Sequence, residues 1–224
     1  MTKPRVVETN EGIQGELTVE IFDRFARTMR DKGWNNVDNV LNAGIKSGNA
    51  LEIGPGPGYV GLEWLKKSPG ATLTGCEISS NMIKLAEKNA KDNGYEARTT
   101  YVEGNCMQMP FQDKSFDAVF SNGSLHEWED PIRVFNEIYR VLKPGGVFCI
   151  TDMRRDVNPL KKWLIYFSTS PKEIRPGFLT SLNASYTSEE LKYILNRSLL
   201  KSADVRKEFF GLCISLSGSK ETRF

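Results

Sequence analysis

Short apolar runs alternate with amphipathic segments through the middle of the chain. Apolar and β-branched runs predict strands over residues 50–53, 71–76, 99–102, 118–121 and 147–151. Apolar positions spaced three and four apart predict helices over residues 17–31, 59–67, 80–93 and 131–141. Because strands and helices alternate, the order predicts an α/β fold: a doubly wound parallel sheet with right-handed crossovers and helices on both faces.

The last quarter of the chain departs from this alternation. Thr187 and Glu190 form a capping-box pattern, which predicts the start of a further helix. Beyond it, strands are expected over residues 205–210 and 212–216, with only Gly211 between them. So short a connection requires an antiparallel pair, since parallel strands need a long crossover.

The composition agrees with one domain that has ample core-forming material: 224 residues, of which 39% are apolar and 26% charged. The 30 basic and 28 acidic residues leave a formal net charge of +2, without a long basic run, which disfavours nucleic acid as a partner. An apolar stretch of signal-peptide or membrane-spanning length is also absent from the sequence. A cytoplasmic protein without a membrane partner is therefore expected.

Three glycines at alternate positions, Gly54, Gly56 and Gly58, directly follow the first predicted strand. Glycine adopts positive φ and lets a ligand approach the backbone where a Cβ would block it. Pro55 and Pro57 stiffen the intervening positions. The helix after the turn directs its N-terminal amides and the positive end of its dipole towards the loop. The segment therefore predicts a nucleotide-binding turn.

Two classes of ligand match such a turn. Gly56, Gly58 and Gly61 have the spacing of a dinucleotide fingerprint, in which the first glycine closes the strand and the helix faces a pyrophosphate. Here the strand ends two residues earlier, at Gly54, and Glu52 lies near its tip. A carboxylate repels a pyrophosphate but suits a ligand with an ammonium or sulfonium group. The register thus favours a sulfonium cofactor over NAD or NADP.

The segment Glu52-Ile-Gly-x-Gly-x-Gly58 resembles motif I of the class I S-adenosylmethionine-dependent methyltransferases. Later segments repeat the resemblance in order: 71–77 looks like the second strand with its terminal acid, 101–111 like the third-strand segment, 115–122 like the fourth strand and 142–150 like the turn into the fifth. The resemblance is close over residues 49–152. It implies a Rossmann-like sheet of seven strands with a reversed C-terminal hairpin. It also implies S-adenosylmethionine as the cofactor and S-adenosylhomocysteine as its product.

The same resemblance assigns cofactor contacts to individual positions. Glu77 would accept both ribose hydroxyls, and Asn105 stands where the family usually has an aspartate that accepts from the adenine amino group. An asparagine can still accept through its carbonyl oxygen. Cys106 would act through its backbone amide. The expected cofactor-binding residues are Glu52, Gly54, Pro55, Gly56, Gly58, Glu77, Ile78, Asn105, Cys106, Met107 and Asn122. No metal site is expected.

A single methyltransferase domain is expected to have four parts. They are an N-terminal helical lid (1–48), the cofactor-binding core (49–152), a lid insertion (153–186) and the C-terminal helix and hairpin (187–224). Apolar and aromatic residues within the insertion predict short helices that cover the site together with Phe22 on the N-terminal helix. The alternative is that this aromatic stripe belongs to the core. A lid would assist methyl transfer by expelling water and aligning the acceptor.

His126, the only histidine, follows the fourth predicted strand and is the candidate catalytic base. The alternative is that it packs over the methionine end of the cofactor. Asp152, at the tip of the fifth strand, is a second catalytic candidate that would orient the acceptor, or else pair with Arg154 or Arg155. The two arginines suit a carboxylate or phosphate on a substrate, or else an ion-pair network that closes the loop. The expected substrate-binding residues are Arg154, Arg155, Trp128 and Tyr186.

The sequence thus predicts a methyltransferase for a small-molecule acceptor that works by in-line displacement. A cofactor-binding sensor or scaffold without transfer activity would keep the same glycines and acids, and it stays open as an alternative. A methyltransferase for protein side chains would carry an Asn-Pro-Pro-Tyr type of motif after the fourth strand. This chain has Ser121-Asn-Gly-Ser124 there.

Overall fold

A mixed sheet of seven strands lies at the centre of the computed structural model, which describes residues 4–7 and 15–216. The strands are β1 Asn49–Ile53, β2 Thr72–Glu77, β3 Thr99–Glu103, β4 Phe116–Asn122, β5 Leu142–Met153, β6 Ala203–Lys207 and β7 Gly211–Leu216. Their spatial order is β3-β2-β1-β4-β5-β7-β6. Six strands run parallel, and β7 runs antiparallel to both of its neighbours. The predicted fold class is confirmed.

Eight α-helices in the described part of the chain surround the sheet. They are α1 Glu16–Asp31, α2 Val37–Asn42, α3 Tyr59–Lys67, α4 Ser80–Asp92, α5 Pro131–Val141, α6 Pro159–Ser168, α7 Arg175–Ala184 and α8 Ser188–Asn196. Because strand residues alternate between two faces, two hydrophobic clusters form. In one cluster, side chains of α2, α3 and α4 pack against strand residues such as Ala50 and Phe120. In the other, side chains of α5 and α8 pack against strand residues such as Leu51 and Val119.

Helix α2 is the one α-helix that the sequence pattern does not predict. It has six residues and begins after Asn36, whose φ of 56° is left-handed. So short a segment shows little periodicity. Its two buried residues, Val37 and Val40, are fixed by packing in the same cluster as α3, which a local pattern does not report.

The C-terminal hairpin is antiparallel, as predicted, but its bounds differ from the prediction. Strand β6 ends at Lys207, so Phe209 and Phe210 lie in the connection and not in the strand. Gly211 is the first residue of β7, where a Cβ would lie 2.4 Å from the carbonyl oxygen of Asp152. The glycine is therefore required by close strand pairing and not by a one-residue turn.

The carboxyl ends of the parallel strands form an edge where the N-terminal helix and the insertion meet. Helix α1 contacts α3, α4 and a 3₁₀ helix at Lys172–Ile174. Helix α7 contacts a second 3₁₀ helix at Leu125–Glu127, which follows β4. The short helices predicted for the insertion are present as α6 and α7. None of the helices formed by the described residues is long and apolar enough to cross a bilayer.

Candidate cofactor and acceptor site

The glycine turn has the backbone conformation that its sequence predicts. The φ angles are 63° at Gly54, 52° at Gly56 and 83° at Gly58, all in the left-handed region that favours glycine. Neighbouring side chains add a second constraint, since a Cβ on Gly54 would lie 2.8 Å from the Cβ of Ser124. A Cβ on Gly58 would lie 2.9 Å from the Tyr101 hydroxyl. The turn therefore exposes its backbone at positions where other residues do not fit.

Glu77 lies at the end of β2 and is hydrogen bonded to the glycine turn. Its Oε2 accepts from the Gly56 N–H at 3.0 Å, and its Oε1 accepts from the N–H groups of Ile78 at 2.9 Å and Ser79 at 3.0 Å. Burial raises the pKa of the Glu77 carboxyl, and the three backbone hydrogen bonds offset part of that rise. A carboxylate has about four lone-pair positions, so with three N–H donors in place a position on Oε2 is left for a further donor such as a ribose hydroxyl.

Glu52 lies beneath the turn, on the face of β1 that meets α3. Both of its neighbours in β1 pack in the cluster with α5, so strand alternation directs Glu52 to the opposite face, against α3. There a Cβ on Gly61 would lie 2.3 Å from Oε2, a buried oxygen without a hydrogen-bond partner among the described residues. Glu52 is 2% exposed, and its pKa is raised well above the ordinary range by burial and, next, by the charge of Glu77. The absence of a side chain at Gly61 therefore makes room for the Glu52 carboxyl group beneath α3.

Asn105 follows β3 at the same edge of the sheet and is exposed. Its Oδ1 accepts from the Met107 N–H at 2.8 Å, which leaves a second lone pair on the amide oxygen. Cys106 is half-buried, and burial raises the pKa of its thiol to about 12. Ile78 is exposed beside Glu77. Among the described residues no cluster of three or more histidine, cysteine or acidic side chains could hold a metal ion.

His126 and Asp152 form a buried pair between the loop after β4 and the end of β5. Nδ1 of His126 lies 3.0 Å from Oδ1 and 2.9 Å from Oδ2 of Asp152. The backbone N–H of His126 also donates to Oδ2 at 2.7 Å, and the Met153 N–H donates to Oδ1 at 2.6 Å. Asp152 therefore pairs with the histidine and not with either of the arginines that follow it.

Arg154 and Arg155, predicted as a possible anion clamp, both pair with carboxylates of the chain. Arg154 Nε lies 2.6 Å from Asp156 Oδ1. Arg155 pairs with Glu190 and also donates to the carbonyl of Ser185 at 2.8 Å. Arg155 lowers the pKa of Glu190, as a stable ion pair should. This arrangement corresponds to the ion-pair alternative.

The remaining predicted residues line the loop after β4. Trp128 is buried, and its Nε1 donates to Ser124 Oγ at 3.2 Å. Tyr186 is buried beneath the Arg5 guanidinium, 4.2 Å from the ring centroid. Oδ1 of Asn122 accepts from the Thr151 hydroxyl at 2.8 Å, and from Nδ2 of Asn36 at the same distance.

One contact at the site escapes the sequence-based prediction. Tyr59, at the start of α3, donates from its hydroxyl to Asp23 Oδ1 of α1 at 2.8 Å, and Asp23 also pairs with Arg27. Phe22 of α1 lies 3.5 Å from the position that a Cβ on Gly56 would occupy. Helix α1 therefore lies against the glycine turn. The sequence signal for this contact is an acidic residue, Asp23, among the apolar residues of α1, and the structure shows it buried.

Known proteins share this sequence pattern. Residues 51–150 match a family model described as a methyltransferase domain. A demethylmenaquinone methyltransferase of Lactobacillus johnsonii is 30% identical over 154 residues, which is 67% of this chain and 60% of that protein. A ubiquinone/menaquinone biosynthesis C-methyltransferase of Geobacter sp. (strain M21) is 31% identical over 150 residues, which is 66% of this chain and 63% of that protein. The chain thus spans less than two thirds of the length of these curated relatives.

Solved structures share the fold. One from Methanococcus maripaludis, classed among S-adenosyl-L-methionine-dependent methyltransferases, has a TM-score of 0.70 at 24% identity and covers 100% of both chains. A SAM-dependent methyltransferase from Aquifex aeolicus has a TM-score of 0.68 at 17% identity and covers 90% of this chain and 98% of that chain. At such identities the likeness establishes the architecture of the sheet and its helices.

Proposed function

Because this chain belongs to the class I S-adenosylmethionine-dependent methyltransferases, we propose that it transfers a methyl group from S-adenosylmethionine to a small-molecule acceptor. The observation that carries the proposal is the 3.0 Å hydrogen bond from the Gly56 N–H to Glu77. It joins a carboxylate at the tip of β2, which can accept from ribose hydroxyls, to a turn of left-handed glycines that opens its backbone to a ligand, and an adenosine cofactor requires both parts.

The donors and acceptors of this edge fit that cofactor. Positive φ at Gly54, Gly56 and Gly58 opens the backbone of the turn to a ligand. Glu77 is proposed to hold the ribose hydroxyls, and the remaining lone pair of the Asn105 amide oxygen is proposed to accept from the adenine amino group. Bound there, the sulfonium would supply an electrophilic methyl group.

His126 is proposed to take the proton that the methyl acceptor loses. Asp152 lies 3.0 Å (Oδ1) and 2.9 Å (Oδ2) from Nδ1, which favours the ring tautomer that carries its proton on Nδ1. The other ring nitrogen, Nε2, lies 4.0 Å from Glu127 Oε1. Asp152 also accepts from the backbone N–H of His126, so the ring and its main chain are held by one carboxylate. Asp152 is thus a positioning residue for the proposed base.

The surroundings support an uncharged acceptor. Arg154 and Arg155 are engaged by carboxylates of the chain, so neither is offered to an anionic substrate. Trp128 and Tyr186, which are buried in the hydrophobic cluster that includes α5 and α8, are the aromatic side chains proposed to border the acceptor. The names of the two curated relatives concern demethylmenaquinone and ubiquinone/menaquinone biosynthesis, which is compatible with an apolar ring as acceptor.

Calorimetry with four ligands tests the cofactor assignment. S-adenosylmethionine and S-adenosylhomocysteine should bind, and NAD and NADP should not. Binding of a dinucleotide in place of the two sulfur compounds would overturn the proposal.

A turnover assay tests the transfer. Formation of S-adenosylhomocysteine should be detected with uncharged quinols or phenols and not with their carboxylated or phosphorylated analogues. Tight cofactor binding without turnover on any acceptor of a broad panel would instead support a sensor or scaffold.

A further inference from the structure

Helix α6 has its apolar stripe turned towards solvent. Leu160, Trp163, Leu164 and Phe167 follow the i, i+3, i+4, i+7 spacing of one helix face. Their exposed fractions are 78%, 57%, 58% and 64%. A helix of a water-soluble domain buries such a stripe, so this surface, the α6 face, is unusual among the described helices of the chain.

Two lysines follow Leu160 on the same helix. Lys161 and Lys162 are half-buried, and at about 100° per residue Lys161 lies beside the apolar stripe and Lys162 lies further round the helix. The rings on the solvent side are ordered against each other, since Trp163 and Phe167 stack at 5.5 Å with an interplanar angle of 21°. The exposed stripe is thus a defined surface and not a set of scattered apolar side chains.

The connection between β6 and β7 extends this apolar surface. Phe209 and Phe210 are both exposed, with ring centroids 4.3 Å apart. The ammonium group of Lys161 on α6 lies 3.9 Å from the Phe209 ring centroid. The two elements therefore present six large apolar side chains with a cation between them.

The excess of basic residues in this region favours an anionic partner. Residues 157–186 contain four basic residues and one acidic residue, although the whole chain has a formal net charge of only +2. The basic residues are Lys161, Lys162, Lys172 and Arg175, and the acidic one is Glu173. An amphipathic helix with tryptophan, leucine and phenylalanine on one face and lysines on its flanks has the composition of interfacial helices that lie in the headgroup region of a bilayer. We propose that the α6 face docks on the surface of a bilayer that contains anionic lipids.

Other occupants fit less well. A second copy of the chain would bring two such basic regions together, which costs electrostatic energy. Residues 1–3, 8–14 and 217–224, which lie outside the described structure, contain one large apolar side chain each, Met1, Ile13 and Phe224. None of these segments has enough apolar surface to cover six exposed side chains.

Docking through α6 would bring the lipid surface close to the acceptor site. Helix α6 follows the end of β5, where Asp152 lies, and it contacts α7. Helix α7 in turn contacts the 3₁₀ helix that carries His126. The docking proposal goes beyond the proposed function and does not depend on it, since lipid binding can be measured without turnover.

Co-sedimentation with vesicles tests the proposal on the full chain. The protein should pellet with vesicles of equal parts phosphatidylglycerol and phosphatidylcholine. It should bind vesicles of phosphatidylcholine alone at least tenfold more weakly, and added salt should weaken binding to the anionic vesicles. The double variant Trp163→Ser/Phe167→Ser should lose at least tenfold in partition to anionic vesicles.

The matched control is Tyr139→Ser/Leu199→Ser, which removes two exposed apolar side chains elsewhere on the surface. It should bind vesicles like the wild type. Circular dichroism and thermal unfolding should show both variants folded, because all four side chains are exposed. Wild-type protein that stays in the supernatant with anionic vesicles would overturn the proposal. So would equal loss in both variants, or a wild-type dimer in sedimentation velocity that the α6 variant converts to a monomer.

Discussion

The carboxylate of Glu77 at the end of β2 and the N–H of Gly56 in the glycine turn are joined by a hydrogen bond of 3.0 Å. This contact ties two segments that lie twenty-one positions apart in the sequence. Since Glu77 also accepts from the next two N–H groups of its own chain, its carboxylate has a fixed orientation before any ligand binds. Such preorganisation lowers the cost of binding.

Glu77→Gln should weaken binding of S-adenosylhomocysteine by roughly tenfold to a hundredfold, because a charge-assisted hydrogen bond is worth about 1.5–3 kcal/mol. Glutamine keeps one oxygen acceptor for the backbone N–H groups, so it disturbs the turn less than alanine would. The matched control is Glu103→Gln, an exposed glutamate paired with Glu77 in register at the end of β3. Calorimetry should show wild-type affinity for the control. Equal affinities for all three proteins would remove Glu77 from the ribose site.

Asn105→Asp should bind the cofactor at least as well as the wild type. The aspartate can still accept from the Met107 N–H, and a charged acceptor forms a stronger hydrogen bond with the adenine amino group. Asn105→Leu keeps a similar volume without an acceptor and should bind more weakly. Loss of affinity in the aspartate variant would mean that Asn105 donates to the ligand.

Glu52→Gln should stabilise the protein increasingly as the pH rises. The folded-state pKa of Glu52 lies above its unfolded value, so the wild-type contribution to stability is fully present below the unfolded pKa and is lost as the pH rises through the folded pKa. Glutamine does not ionise and has nearly the same size as glutamate. The stability difference should therefore grow by about 1.4 kcal/mol per pH unit between the two pKa values.

Urea unfolding at several pH values measures this difference. The control is Glu87→Gln, an exposed carboxyl group on α4. Its stability curve should run parallel to that of the wild type. If Glu52→Gln also runs parallel, the carboxyl group does not carry the raised pKa.

The glycine turn could be predicted because positive φ at Gly54, Gly56 and Gly58 is a local requirement that residue type reports directly. The face of β1 on which Glu52 lies is also a local property, because side chains alternate along a strand. The resemblance to motif I concerns the charge of Glu52 and does not indicate that face. Residue identity alone does not say which side of a strand meets which helix.

Contacts between distant segments could not be predicted in the same way. His126 and Asp152 are separated by 26 positions in the sequence. They meet because β4 and β5 are paired strands in which Asn122 lies opposite Thr151. The hydrogen bond between Asp23 and Tyr59 depends on how α1 packs on α3. Both are consequences of tertiary packing, which the spacing of apolar positions does not encode.

His126→Gln separates a catalytic role from a packing role. If His126 takes the proton of the acceptor, its loss should lower kcat at least a hundredfold and leave cofactor affinity nearly unchanged. Asp152→Asn should also lower kcat, because an asparagine amide can donate to Nδ1 and favour the tautomer that carries its proton on Nε2.

The matched control is Glu129→Gln, an exposed residue in the same loop, which should keep wild-type kcat. A packing role predicts the opposite pattern, in which His126→Gln weakens cofactor binding and the rate at saturation hardly moves. Methyl transfer that depends on alignment alone asks little of a base, so that pattern would be chemically reasonable. A variant with full kcat would therefore remove His126 from the proton transfer, and Asp152 would then be a structural partner of the loop after β4.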